Sequence, residues 1–393
     1  MNKFDYSGEK GVNNKENKKE KDLAKNIYID NNINKSFKID YNSEIDVNDD
    51  SKEENLKDEL IENNSSSPLN IHYFMDLIED SKCTWKSNSF CVFKSINNIF
   101  YLIYSNENNS IISYDLINFK KINEIKKAHN SEIKDLRYSF DNINKRDIIL
   151  SISTEDNNLK LWDIYNFELL LDIKDINKNG VLSSACLLNN NNEIYIITSN
   201  CNFKNFKKSE PIKVFDLNGS IVNIIDNEDE LIYYIDIYYD ETLSMSFIIS
   251  GGTEYVKSYD FNGSILYNKY SENKENLYYY VIINDKEEQT KIISSSVGYI
   301  IIWDFHSGEL LNKITKSKDV ICNICLWNSD YLFASNQESF IELIDIKNKK
   351  FIKNLNWQCD GIIHTIKKII HPKYGECLIV QSRNNKIIMW TIK

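Results

Sequence analysis

Three side chains that can do acid–base and nucleophilic chemistry stand close together in the first half of the chain. His129 lies ahead of the run Ile149-Leu150-Ser151-Ile152-Ser153-Thr154-Glu155-Asp156-Asn157-Asn158-Leu159-Lys160-Leu161-Trp162-Asp163-Ile164, which holds Thr154 and Asp156. A hydroxyl, an imidazole and a carboxylate are the parts of a hydrolase triad, in which the carboxylate orients the imidazole and the imidazole takes the hydroxyl proton. With Trp162 added, the same groups have a structural use. An indole N–H is a donor only and needs an acceptor when buried. A hydroxyl can accept it and donate onward to an imidazole, whose other N–H meets a carboxylate, giving a chain of buried hydrogen bonds. The choice depends on the elements that hold these residues. The run reads as a strand, a tight turn and a second strand ending in a Trp-Asp pair.

From Asn70 onward the chain consists of short β-rich runs separated by Asn, Asp and Ser clusters, as in Ile194-Tyr195-Ile196-Ile197-Thr198 and Phe247-Ile248-Ile249-Ser250. The Trp-Asp position recurs as Tyr114-Asp115, Trp162-Asp163, Phe215-Asp216, Tyr259-Asp260, Trp303-Asp304, Ile344-Asp345 and Trp390-Thr391. The steps between second members are 48, 53, 44, 44, 41 and 46 residues. A period of about 40 to 45 residues with four strands per unit is the signature of propeller blades. On these pairs and this period the chain resembles the WD-repeat β-propeller family over residues 70–393. The resemblance predicts an all-β fold: a seven-bladed β-propeller of four-stranded antiparallel blades. Its blades fall near 83–122, 128–175, 178–226, 229–270, 274–315, 317–356 and from 359 onward. In that family the pair ends the third strand of a blade. Residues 391–393 leave no room for a fourth strand, so Ile71-His72-Tyr73-Phe74-Met75-Asp76-Leu77 is expected to complete the last blade as an N-terminal strand. That pairing removes an exposed sheet edge.

The resemblance also assigns the polar set. Ala128-His129 stands where the family places Gly-His, and His129, Thr154, Asp156 and Trp162 are expected to form its structural tetrad. The triad reading yields to this one, because the indole partner and the spacing account for every member. Blade five keeps Ser295 and Trp303 with Val297 at the carboxylate position, and blade seven keeps Ser382, Asn384 and Trp390. Asp156-Asn157-Asn158 replaces the usual Asp-Gly turn, since Asn tolerates the left-handed conformation.

Other candidates are weaker. Cys322-Asn323-Ile324-Cys325 is a lone C-x-x-C with no second pair nearby, so no metal and no cofactor is expected. His72, His306, His364 and His371 lack ligand spacing and are read as surface or turn residues. An enzymatic propeller needs acid–base groups converging from inner strands, and Asp135, Asp236 and His364 are the ones on such strands. The tyrosines Tyr233, Tyr234, Tyr238, Tyr239, Tyr278, Tyr279 and Tyr280 fall on inner strands and are read as packing. The most distinctive loop, at 200–210 in blade three, interleaves Phe203 and Phe206 with Lys204, Lys207 and Lys208, a candidate contact for an acidic partner. A tolerated insertion is the other reading of it.

Composition bounds the function. The net charge is −11, and only Arg137, Arg146 and Arg383 among 47 basic residues are arginines. Phosphate and guanine recognition favours arginine, so no direct nucleic-acid binding is expected. Eight scattered cysteines fit reduced thiols and an intracellular place, cytoplasmic or nuclear. Neither an apolar leader nor a run of about 18 apolar residues is present, so no membrane span is expected. Residues 1–66 hold 16 Asp/Glu, 11 Lys and 13 Asn, too polar to offset the entropy of ordering. The division is therefore a disordered acidic, Asn-rich tail at 1–68 and a propeller at 69–393. The expected function is a non-catalytic protein–protein interaction scaffold or adaptor, monomeric within a complex with other proteins. The alternatives are an RNA-processing or ribosome-assembly subunit, and an enzymatic propeller with a channel acid–base centre.

Overall fold

Asp, Asn and Ser clusters interrupt the apolar runs every few residues, and strands are what the runs become. The computed structural model describes residues 69–82, 89–176, 180–190, 193–201, 210–226, 231–253, 255–270, 280–284, 289–336, 339–355, 361–383 and 386–392. Among them are 27 strands and no helix. The expected tail at 1–68 lies outside the described residues.

β1 (Ile71–Ile78) comes first in the chain. The first sheet is β2 (Phe90–Lys94), β3 (Phe100–Ser105), β4 (Ile111–Asp115) and β5 (Lys120–Ile125), and the second is β6 (Ile133–Asp141), β7 (Arg146–Ser153), β8 (Asn158–Asp163) and β9 (Leu169–Ile173). The third is β10 (Val181–Asn190), β11 (Glu193–Cys201), β12 (Ile212–Phe215) and β13 (Ile221–Ile225). The fourth is β14 (Ile232–Asp240), β15 (Met245–Gly252), β16 (Val256–Tyr259) and β17 (Ile265–Tyr270). A seven-stranded sheet comes next: β18 (Tyr280–Asn284), β19 (Lys291–Ser295), β20 (Val297–Asp304), β21 (Leu310–Leu326), β22 (Tyr331–Asn336), β23 (Ile341–Asp345) and β24 (Lys350–Leu355). The last sheet holds β25 (Ile363–His371), β26 (Gly375–Ser382) and β27 (Ile387–Ile392), with β1 beside β27.

The fold is thus an all-β propeller of four-stranded antiparallel blades. Five blades, not the expected seven, stand as separate four-stranded sheets. The difference lies in β21, a 17-residue strand that pairs with β20 through Leu310–Thr315 and again at Val320, and with β22 through Ile321–Leu326. One unbroken strand carries backbone pairing where a loop was expected, so two units merge. The N-terminal strand pairs as expected, with Ile71 opposite Ile392 and Ile78 opposite Ile387.

Apolar clusters fill the spaces between neighbouring sheets. Ile149 and Trp162 pack with Phe93 and Ile103, and Leu150 and Leu161 pack with Ile194 and Phe215. Leu77, Ile78 and Met389 pack with Leu102 and Ile112. Burial of such surfaces, at roughly 25 cal/mol per Å² of apolar area, is the main driving force. The outer strands face water: β13 exposes Ile221, Val222 and Ile224.

A register irregularity recurs in β6, β10, β14, β21 and β25. The register shifts between Ile133 and Asp135, Leu182 and Ser184, Ile232 and Tyr234, Ile321 and Asn323, and Ile363 and Thr365. A bulge adds a residue and re-aims the side chains beyond it. It sets the direction of Asp135 and, two residues on, Arg137.

Candidate functional site

The polar set of the second sheet is built from β7, β8 and the turn between them. Trp162 pairs with Ile149 and Lys160 with Ser151. Side chains two apart on a strand share a face, so Ser151 and Trp162 point the same way. The Trp162 indole N–H donates to Ser151 Oγ at 2.8 Å, and Ser151 Oγ lies 2.8 Å from His129 Nε2. The Ser151 hydroxyl also has the carbonyl of Lys160 within reach as an acceptor, at 3.5 Å. His129 Nδ1 then faces Asp156 Oδ2 at 3.9 Å, too far for a direct hydrogen bond. Asp156 instead accepts the N–H groups of Asn130 (2.8 Å) and Ser131 (3.1 Å), fastening the loop before β6 to the β7–β8 turn.

The tetrad's hydroxyl is therefore Ser151, not Thr154. Thr154 lies one residue past the end of β7, three positions from Ser151 and on the opposite parity, and its hydroxyl is buried without a hydrogen bond. Two-residue steps back from Trp162 lead to Thr154; the four-residue turn between Ser153 and Asn158 sets the register that brings Ser151 into place instead. The same register corrects the other repeats. Trp303 pairs with Ile292, which places Ser294 rather than Ser295 at the hydroxyl position. Trp390 pairs with Leu378, which places Val380 there, so Ser382 does not take that role in the last sheet. Asn384 lies outside the described residues.

This arrangement offers no open nucleophile. Ser151 is completely buried and His129 nearly so. Burial, aided by nearby Lys160 and opposed by Asp156, pushes the His129 pKa down to about 4, so the ring is neutral at pH 7. Asn157 takes the left-handed conformation with φ 52°, as expected for the turn that lacks glycine.

The Asp of each Trp-Asp-like pair has its own job, which explains why Asp persists where Trp does not. Asp115 Oδ1 accepts from the backbone N–H of Ile117 (2.8 Å) and Asn118 (3.1 Å), and its Oδ2 from the Asn118 amide (2.6 Å). Asp163, Asp216, Asp304 and Asp345 likewise hold the turn beyond them. Burial raises the pKa of Asp115, Asp304 and Asp345, but the hydrogen bonds to the anion outweigh it and the net shift is downward.

A second polar group lies where β2, β6, β10, β14 and β25 approach one another. Arg137 donates to Asp236 Oδ2 at 3.2 Å and lies 3.8 Å from Asp135 Oδ2. The Ser184 hydroxyl donates to Asp135 (2.9 Å), and the Tyr234 hydroxyl donates to Asp236. A cavity of about 250 Å³ opens here, lined by Cys91, Val92, Arg137, Cys186, Asp236 and Lys367 among others. Asp135 and Asp236 thus converge, but around a guanidinium. His364 does not join them. It is buried in β25, its Nδ1 has no hydrogen-bond partner, and burial with nearby Arg383 drives its pKa to about 3. It is not a surface residue, and neither is His371, which is buried against Leu116 O at 3.0 Å. His306 and His72 are exposed as expected. Arg137 and Lys367 were missed, although Arg137 is one of three arginines and lies two residues from Asp135 on one strand face.

The candidate loop residues Phe203, Lys204, Phe206, Lys207 and Lys208 lie outside the described residues. Their flanks are well tied: Asn200 Oδ1 accepts from the Glu210 N–H at 2.9 Å, and Lys213 Nζ reaches Glu210 at 2.6 Å and Ile176 O at 2.6 Å. Tyr233, Tyr234 and Tyr238 are buried while Tyr239 is exposed; Tyr278 and Tyr279 lie outside the described residues. Cys322 and Cys325 are both buried in β21, and burial raises the Cys325 thiol to about 11. Among the described residues no three His, Cys, Asp or Glu side chains are grouped to hold a metal, and no helix is long and apolar enough to cross a membrane.

No family model matches this sequence, and no curated protein is significantly similar to it.

Proposed function

We propose that the chain is a WD-repeat-like propeller of seven blades in a closed ring, acting as a non-catalytic scaffold for other proteins inside the cell. Support for seven comes from β21, whose two halves serve different neighbours: divided at its middle, the seven-stranded sheet becomes two four-stranded blades. Support for closure comes from β1, which pairs with β27 and packs Leu77 and Ile78 against the first sheet.

The observation that carries the scaffold reading is the consumption of the best polar set by the fold itself. Ser151, His129 and Asp156 each spend their hydrogen bonds on holding blade two together. What remains is a rigid framework presenting loops, and loops on rigid frameworks are where partner specificity resides. The cationic, aromatic segment at 202–209 is the partner contact we favour in this acidic protein.

Affinity capture with quantitative mass spectrometry tests the reading. The variant Lys204→Glu/Lys207→Glu/Lys208→Glu is expected to melt with the wild type yet lose specific partners, whereas Trp162→Ala loses partners and stability together. Partner recovery from the wild type no greater than from Trp162→Ala refutes it.

A further inference from the structure

Lys367, an ammonium group beside the cavity, has no ion pair among the described residues. Arg137 takes both nearby carboxylates, Asp236 at 3.2 Å and Asp135 at 3.8 Å. Lys367, on β25 across the cavity, donates to the carbonyl of Phe90 at 2.9 Å and lies 5.3 Å from the Phe90 ring centroid. Among the described residues no carboxylate stands within ion-pair distance of it. An ammonium has three donors, so two remain for whatever occupies the cavity. Lys368 provides the contrast, since it pairs with Glu376 at 2.5 Å and also reaches Trp327 O at 2.7 Å.

Cys91 lines the same cavity and does not supply the missing negative charge. Its burial raises the thiol to about 12, so it stays neutral. Burial and then the Arg137 charge lower the pKa of Lys367, against the opposing pull of Cys91, Asp236 and Asp135. A partly desolvated cation without a direct ion pair is costly, and a bound anion within hydrogen-bond distance lowers that cost. The cavity of about 250 Å³ is far larger than the roughly 10–15 Å³ that one water requires. It admits a small oxyanion with several waters.

We infer that the channel of this propeller is a binding site for a small oxyanion, a carboxylate or phosphate, held by Lys367 with Arg137 beside it. This goes beyond the scaffold reading and stands without it. The anion comes either free from solution or as an acidic side chain of a partner, and the recognising chemistry is the same.

Isothermal titration calorimetry of the full chain with three probes tests this: inorganic phosphate, glutarate and a glycine-flanked pentaglutamate peptide. At least one should bind saturably at millimolar concentration with one site per chain. Lys367→Met and Lys367→Gln should weaken that binding about tenfold or more, while Lys367→Arg retains it. Tighter binding of the peptide than of glutarate identifies a partner side chain as the source; tighter binding of phosphate identifies a free anion. A measurement on the unmodified protein removes dependence on variant folding. Acetylation of Lys367, read by mass spectrometry, should slow in the presence of whichever probe binds. No saturable binding of any probe, binding unchanged in Lys367→Met and Lys367→Gln, or labelling unaffected by the bound probe would each overturn the inference.

Discussion

Replacing Ser151 by Ala removes one oxygen, its two 2.8 Å hydrogen bonds with the Trp162 indole and His129 Nε2, and a long one to Lys160 O at 3.5 Å. Both side-chain partners stay buried, at 6% and 2% exposure, so water cannot replace the serine. An orphaned buried polar group costs about 1–3 kcal/mol, so the two together should cost roughly 2–6 kcal/mol. Thr154→Ala, one turn away, removes a hydroxyl that bonds nothing and should cost less than about 0.5 kcal/mol. The unfolding entropy of a domain this size, at about 2.1 cal/mol/K per residue, converts the Ser151 loss into a fall in Tm of roughly 3–9 °C. Calorimetry on both variants reads the difference. Trp162→Phe removes the indole donor, so Ser151→Ala should cost about 1 kcal/mol less in that background than in the wild type. Equal destabilisation by the two alanine variants, or strict additivity of Ser151→Ala with Trp162→Phe, would show that the hydroxyl of the tetrad has been misassigned.

Acid should weaken the fold through its buried histidines. The folded pKa values of His129 (about 4) and His364 (about 3) lie below the ordinary value of 6.5, so the unfolded chain binds more protons at intermediate pH. Their contribution is therefore complete above pH 6.5 and declines as pH falls toward 4 and 3, by up to about 1.4 kcal/mol per pH unit for each ring; His364→Gln should flatten this limb in denaturant titrations. The depressed carboxylates Asp115, Asp304 and Asp345 act in the same direction, through stability present above their ordinary pKa and lost as pH falls through the folded values. Deleting residues 69–80 removes β1 and bares the β27 edge, so melting should drop, whereas deleting 1–66 should leave it unchanged; equal melting of the full chain and a chain starting at 81 contradicts this. Asp345→Ala should cost about 1–2 kcal/mol by unfastening the turn at Asn348, and Asp345→Asn, which keeps one acceptor, should cost less in urea unfolding.

What the sequence determined by itself is local and periodic. The recurrence at Asp115, Asp163, Asp216, Asp260, Asp304 and Asp345 was legible because each carboxylate bonds within its own turn, a contact two to four residues long that composition must preserve. The apolar runs and the role of residues 71–77 were legible for a similar reason: a strand with a buried face advertises itself by alternation. Register and reach were left to tertiary structure. Ser151 was chosen over Thr154 by which residue of β7 stands opposite Lys160, and a shift of one position turns a side chain to the other face. The joining of two units through β21 depends on backbone continuity that no residue type marks. Arg137 meets Asp236 99 positions away, and Lys367 meets Phe90 277 positions away, because β6 and β14, and β25 and β2, approach one another across sheets. Only the arrangement of the sheets brings such residues together, so the tetrad could be sought in one stretch of sequence while the channel site could not.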